Sequence, residues 1–138
     1  MLMPQSVMII DDNTEMLETM SMMLRHMGIR HVVSASSVAK ASQLLADAEK
    51  PAEIIICDWN MPEQTGLDFL AKLRKDGNLI PFIMVTARND TGSVIEASNK
   101  GVDLYICKPF SLDELKRKIH WVANGPHRAT EKVLFSDS

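Results

Sequence analysis

The sequence predicts an α/β domain: one doubly wound parallel sheet of five strands, with five helices on its faces. Three observations predict it. Short apolar runs alternate with amphipathic stretches five times along the chain. Alternation at this spacing makes βαβ units, whose right-handed crossovers give a parallel sheet. The run Glu53 to Asp58 (EIIICD) has a solid apolar centre without polar alternation, the mark of a central parallel strand covered on both faces. Five strands suit an open sheet rather than an eight-stranded barrel.

Each element has its own signal. Ser6 to Asp11 (SVMIID) is an apolar run, strand 1. Helix 1 runs from Thr14 to Met27, with Met16, Leu17, Met20, Met23, Leu24 and Met27 on one face and Gly28 as its stop. Strand 2 is His31 to Ala35. Helix 2 runs from Ser37 to about Ala48, placing Val38, Ala41, Leu44, Leu45 and Ala48 inward, and Pro51 closes the segment. Strand 3 is Glu53 to Asp58. A loop opens at Asn60-Met61-Pro62, and helix 3 follows from Thr65 or Gly66 to about Lys75 with Leu67, Phe69, Leu70 and Leu73. Pro81 to Thr86 (PFIMVT) is strand 4, and Asp90 to Lys100 is helix 4, ended by Gly101. Leu104 to Cys107 is strand 5. Ser111 to about Ala123 is helix 5, where Ser111 and Glu114 have capping-box spacing.

One domain is expected over residues 1–123, with 124–138 as a tail or linker containing Gly125, Pro126 and the apolar Val133-Leu134-Phe135. A chain of 138 residues buries roughly 68% of its unfolded surface, so its core needs no staples. Net charge is −3 with no long basic run, which argues against nucleic-acid binding by this chain. No apolar stretch reaches the roughly 20 residues of a membrane span, and Met1 to Ser6 carries no signal-peptide pattern. The ten methionines read as adaptable core filler.

The chemistry gathers where strands end. Asp11 and Asp12 end strand 1, Asp58 ends strand 3, Thr86 ends strand 4 and Lys108 follows strand 5. Open parallel sheets bind ligands on that carboxyl edge. Three carboxylates brought together repel unless a cation joins them. Their all-oxygen donor set suits Mg²⁺, which often bridges carboxylate and phosphate. An aspartate can also be a nucleophile that forms an aspartyl-phosphate. Each residue has a plainer reading. Asp12 can cap helix 1 with Glu15 as partner, and Asp58 can close a strand-end turn. Thr86 can be an ordinary β-branched strand residue, and Lys108 a solvated lysine. Their shared edge is what makes the set specific.

These residues resemble the receiver domain of two-component response regulators, over about Ser6 to Ala123. The motifs are Asp11-Asp12, Asp58-Trp59-Asn60-Met61-Pro62, Val85-Thr86-Ala87 and Lys108-Pro109-Phe110. The run DWNMP is most like the single-domain chemotaxis regulators. The resemblance implies a flavodoxin-like sheet in the order 2-1-3-4-5. It implies that Asp58 accepts phosphate from a sensor histidine kinase or phosphotransfer protein. Asp12, Asp58 and the Asn60 carbonyl would hold Mg²⁺, with Asp11 acting partly through water. Thr86, Lys108 and the Ala87 amide would bind the phosphoryl group. Tyr105 would turn inward as Thr86 moves toward phosphate, and the Lys108-Pro109 bond would be cis. In that order one strand separates Cys57 from Cys107, about 9–10 Å apart, too far for a disulfide. A chain without a disulfide framework fits the cytoplasm.

Output is expected through helix 4, strand 5 and helix 5, toward a protein partner or a second copy. Helix 4 contains Gly92 and only Val94, Ala97 and Ser98 on a plausible inner face, so it is weakly anchored. Trp121 lies opposite the Leu115-Ile119-Val122 stripe, and with Ile95 and Tyr105 suggests an exposed partner surface. Arg88, two residues after Thr86, stands where chemotaxis regulators often carry an acid. Near a phosphoryl group it would alter water access and so the lifetime of the aspartyl-phosphate. Other classes remain open at this point: an aspartate-nucleophile phosphatase, a flavin-binding module, and a receiver kept only as scaffold. The phosphatases usually place a spaced Asp-x-Asp at strand 1, whereas here the acids are adjacent. Asp11-Asp12 would repel a flavin phosphate.

Overall fold

A computed structural model describes residues 3–47, 49 and 52–124. The predicted end of helix 2 at Ala48, the Pro51 stop and the tail from Gly125 onward lie outside the described residues. The elements alternate throughout: β1 (Ser6–Ile10), α1 (Thr14–His26), β2 (His31–Ala35), α2 (Val38–Asp47), β3 (Ile54–Cys57), α3 (Gly66–Lys75), β4 (Phe82–Thr86), α4 (Thr91–Asn99), β5 (Leu104–Cys107) and α5 (Leu112–Ala123). All strand pairings are parallel and the order is β2-β1-β3-β4-β5, the flavodoxin-like arrangement.

Successive strand residues point to opposite faces, and the core divides accordingly. Met8, Ile10, Ile55, Cys57, Phe82, Met84 and Tyr105 pack against α2, α3 and α4. Val7, Ile9, Ile54, Ile56, Ile83, Val85, Leu104 and Ile106 pack against α1 and α5. The inner strands are therefore apolar on both faces, which is why their sequences do not alternate. On α1 the predicted face is inward: Leu17, Met20 and Leu24 are buried, and Met16, Met23 and Met27 pack at its border.

The predicted bounds run about one residue long at several ends, because the cap residues lie just outside the helices they close. Ser37, Asp90 and Ser111 stand just outside α2, α4 and α5. Each accepts a backbone N–H from three residues ahead, at 3.1, 2.9 and 3.0 Å respectively. On α4 the buried residues are Ser93, Val94 and Ala97. Ser98 is exposed, and Ser93 replaces it because its hydroxyl is satisfied by Asp90 Oδ1 at 2.9 Å.

The expected exposed patch of Trp121, Ile95 and Tyr105 does not form. Tyr105 is fully buried in one layer, while Trp121 is half-buried against the other. Of the three, Ile95 is the exposed one, at 54%. Met22 is also exposed, as its place off the α1 stripe predicted.

The amino-terminal end of β4 and β5 is tied to α3. Arg74 donates through Nε to the Gly101 carbonyl at 3.0 Å, and through Nη1 to the Asn78 carbonyl at 2.9 Å. Its Nη2 pairs with Asp103 at 3.2 Å, and the same Asp103 oxygen accepts the Phe82 N–H at 2.8 Å. Gly101 has a φ of +96°, and a Cβ there would stand 3.1 Å from Arg74 Cγ, so the residue that ends α4 is also the one that admits the arginine. No helix among the described residues is long and apolar enough to cross a membrane.

Candidate functional site

At the other end, β1, β3, β4 and β5 deliver their last residues to one edge. The winding reverses between β1 and β3, where open parallel sheets leave a crevice. Hydrogen bonds continue past the strands. Asp11 N donates to the Ala35 carbonyl at 3.2 Å, Asp58 N to the Ile10 carbonyl at 3.0 Å, and Lys108 N to the Thr86 carbonyl at 2.8 Å. Three side chains thus spring from backbone held by the sheet.

Asp11, Asp12 and Asp58 each place a carboxylate oxygen within 4.8 Å of the others. Asp11 and Asp58 are buried, at 3% and 9% exposure, and Asp12 faces outward. The buried pair divide their oxygens alike. Asp11 Oδ1 accepts from Asn13 N at 2.9 Å, and Asp58 Oδ1 from Asn60 N at 3.2 Å. The Oδ2 atoms of both accept from Lys108 Nζ, at 3.1 and 3.0 Å. Burial works against the ammonium, but hydrogen bonds to Asp58 and Asp11 more than offset it, and its pKa lies above the ordinary lysine value. One ammonium faces three acids. Two like charges 4.8 Å apart repel by roughly 3.5 kcal/mol at an effective dielectric of about 20. The cluster carries more negative charge than its one lysine offsets, and its all-oxygen donors fit Mg²⁺.

Around this core stand the partners expected from the sequence. Thr86 is fully buried, and its Oγ1 accepts the Arg88 N–H at 3.3 Å. Ala87 and Asn60 are exposed at the rim. Tyr105 is inside, its hydroxyl donating to the Arg88 carbonyl at 2.8 Å. Burial pushes that phenol far above its ordinary value, with Cys107 and Asp90 adding to the shift. The Lys108-Pro109 peptide is cis. Cys57 and Cys107 are free. Burial first, then the nearby Asp58 and Asp11, hold the Cys57 thiol well above the usual range, so it is no nucleophile.

Two plainer readings fail. Asp12 does not cap α1: Asn13 does, accepting from Glu15 N at 2.9 Å and Met16 N at 3.2 Å. The asparagine sits one residue closer to the first helical turn, which leaves the Asp12 carboxylate to the cluster. Lys108 is not a solvated side chain, since both its acceptors are buried. The turn reading of Asp58 holds beside the functional one, each using a different oxygen. Arg88 turns its charge onto the loop after Asp58. Its guanidinium carbon lies 4.7 Å from the Trp59 ring centroid, and its Nε donates to Asn60 Oδ1 at 3.3 Å.

Gly66 was missed as a site residue. A Cβ there would be driven into the Asp58 carbonyl oxygen, and would stand 3.0 Å from the carbonyl carbon and 3.1 Å from Cys57 Sγ. The available signal was a glycine at the start of a helix where no turn called for one.

A family model described as the response regulator receiver domain matches residues 7–120. Chemotaxis protein CheY1 of Helicobacter pylori is 36% identical over 118 residues, covering 84% of this chain and 94% of that protein. Chemotaxis protein CheY of Pseudomonas aeruginosa is 35% identical over 115 residues, covering 82% and 91%. The receiver domain of Francisella response regulator 1452 has a TM-score of 0.78 at 29% identity, over 85% of this chain and 94% of that one. The lysine-braced acid cluster, the sheet order that assembles it and these relatives agree: the chain belongs to the response regulator receiver family, the phosphorylation-activated signalling modules of two-component systems.

Proposed function

We propose that Asp58 is the phosphoacceptor. A carboxylate oxygen of Asp58 takes the phosphoryl group from a phosphohistidine of a sensor histidine kinase or phosphotransfer protein, the N–P bond breaking as the O–P bond forms. The observation that carries this reading is Lys108 Nζ, bonded at once to Asp58 and Asp11. Transfer places new negative charge beside an ammonium already in position to take it. Thr86 keeps its hydroxyl hydrogen to donate to a phosphoryl oxygen, since its oxygen is the acceptor toward Arg88. The Ala87 N–H is a second donor.

Asp11, Asp12, Asp58 and the Asn60 carbonyl would hold Mg²⁺. When bound, the ion supplies positive charge that offsets the acids and the transferring oxygens. Self-phosphorylation from small phosphodonors and autodephosphorylation are the only chemistry this signalling domain performs, and residues 1–123 are its unit. Switching follows from a shared partner: Thr86 and Tyr105 both bond the backbone of Arg88, so drawing Thr86 toward phosphate is felt by Tyr105 and the α4–β5–α5 face. That face then meets an output protein or a second copy. Likeness to chemotaxis proteins favours a cytoplasmic pathway of that kind.

The test is incubation with acetyl phosphate and Mg²⁺, read by intact mass. Wild type should gain one phosphoryl group, and Asp58→Asn none. Labelling of Asp58→Asn, or an unlabelled wild type, would overturn the assignment.

A further inference from the structure

The contacts of Arg88 close a ring. Its N–H donates to Thr86 Oγ1 and its carbonyl accepts from Tyr105 Oη, at 3.3 and 2.8 Å. Its Nε donates to Asn60 Oδ1 at 3.3 Å, and its guanidinium carbon stands 4.7 Å from the Trp59 centroid. Trp59 completes the circuit by meeting Tyr105 edge-on, with centroids 6.5 Å apart and planes at 73°. One residue thus joins the loop after Asp58 to both Thr86 and Tyr105, and the chain itself supplies every contact.

The need for such a device follows from burial. A fully buried phenol requires an acceptor, because an unpaired hydroxyl in the core is costly. The acceptor here belongs to a run, Ala87 to Asp90, that is exposed throughout and has no core packing to hold its peptide planes. Besides its N–H bond to Thr86, Arg88 is anchored by its side chain, laid on a tryptophan that is only 5% exposed. We infer that Arg88 is a positioning residue: clamped on Trp59 and Asn60, it presents its carbonyl to Tyr105 and keeps that ring inside with no phosphoryl group required. Phosphorylation would then tighten a state the chain already favours, rather than create it. This consequence rests on reading Thr86 and Tyr105 as the switching pair, whereas the ring of contacts does not.

Tyr105 is the one tyrosine of the chain, so nitration reports on it alone. The full-length protein, without phosphodonor or Mg²⁺, is treated with tetranitromethane at neutral pH. A Cys107→Ala background is used because the reagent also oxidises thiols and because the Cys107 Sγ, 3.7 Å from the Arg88 carbonyl, is a second donor to the same acceptor. Wild type should react slowly and Arg88→Ala about tenfold faster, the factor that one cation–π contact and one exposed hydrogen bond supply together. Arg88→Lys should fall between, since it restores a cation over the ring without the planar fork. Ile119→Val loosens the opposite layer and should stay near the wild-type rate. Nitration of Arg88→Ala at the wild-type rate, or equal acceleration by Ile119→Val, would overturn the clasp. Failure of the acetyl phosphate test would strike the phosphoacceptor reading and leave the nitration result standing.

Discussion

Methionine in place of Lys108 keeps an apolar stem and deletes the ammonium. The wild-type Nζ lies 3.1 Å from Asp11 and 3.0 Å from Asp58, with side-chain exposures of 20%, 4% and 11% for the three residues. Each lost charge-assisted bond is worth about 1.5–3 kcal/mol. The two acids are then left to repel one another. Against this, the variant no longer buries an ammonium, and burial is the largest single influence on Lys108. The net loss should be about 2–4 kcal/mol, toward the lower part of the range for breaking a buried pair. At about 3 °C per kcal/mol for a domain of this size, Tm falls by about 6–12 °C. Calorimetry in EDTA at neutral pH measures it. Titrating Mg²⁺ should then stabilise the variant more than wild type, because no ammonium competes for the two Oδ2 atoms; tenfold tighter binding adds about 1.4 kcal/mol at saturation. A variant melting within about 2 °C of wild type, or equal gains from Mg²⁺ in both proteins, would refute the bracing argument.

Gly66→Ala should displace the Asp58 backbone, costing about 1–3 kcal/mol in urea unfolding and slowing acetyl phosphate labelling; a variant with wild-type labelling would show that α3 can yield. Lys108, Tyr105 and Cys57 all hold protons more firmly folded than unfolded, and their ordinary values are 10.5, 10.0 and 9.0. The stability they confer is whole below those values and is lost as pH rises beyond them, so unfolding free energy should fall steadily above about pH 9; a flat profile to about pH 11 would contradict this. Arg88→Glu should shorten the life of the phosphorylated form by roughly threefold, because glutamate cannot cover Trp59 and Asn60 at the rim. Loss of label after removal of the phosphodonor measures it, and an unchanged rate discards the role.

Period and position made most of the fold legible. Unbroken apolar runs marked strands covered on both faces, and the methionine-rich stripe of α1 marked its inner side. Sheet order then brought Lys108 to Asp11 across 97 positions, a contact no local pattern contains. The resemblance supplied that order, and membership of a signalling family sets aside the phosphatase and flavin alternatives. What sequence hid was short-range geometry. Asn13 and Asp12 are both good caps, and only the backbone path chooses between them. Trp121 faced away from its helix stripe, yet its large ring reaches back over the border of the core. The Arg88 contacts depend on side-chain direction across 28 positions, which spacing does not encode.

Arg74 rivets the foot of β4 and β5 to α3 through Gly101, Asn78 and Asp103. With that end held, displacement at the carboxyl edge of the sheet would be resisted as a slide of the two strands and would fall instead on α4, as a swing about its own carboxyl terminus, largest near Asp90 and smallest near Gly101. A partner that reads the change would then gain most by gripping the first turn of α4.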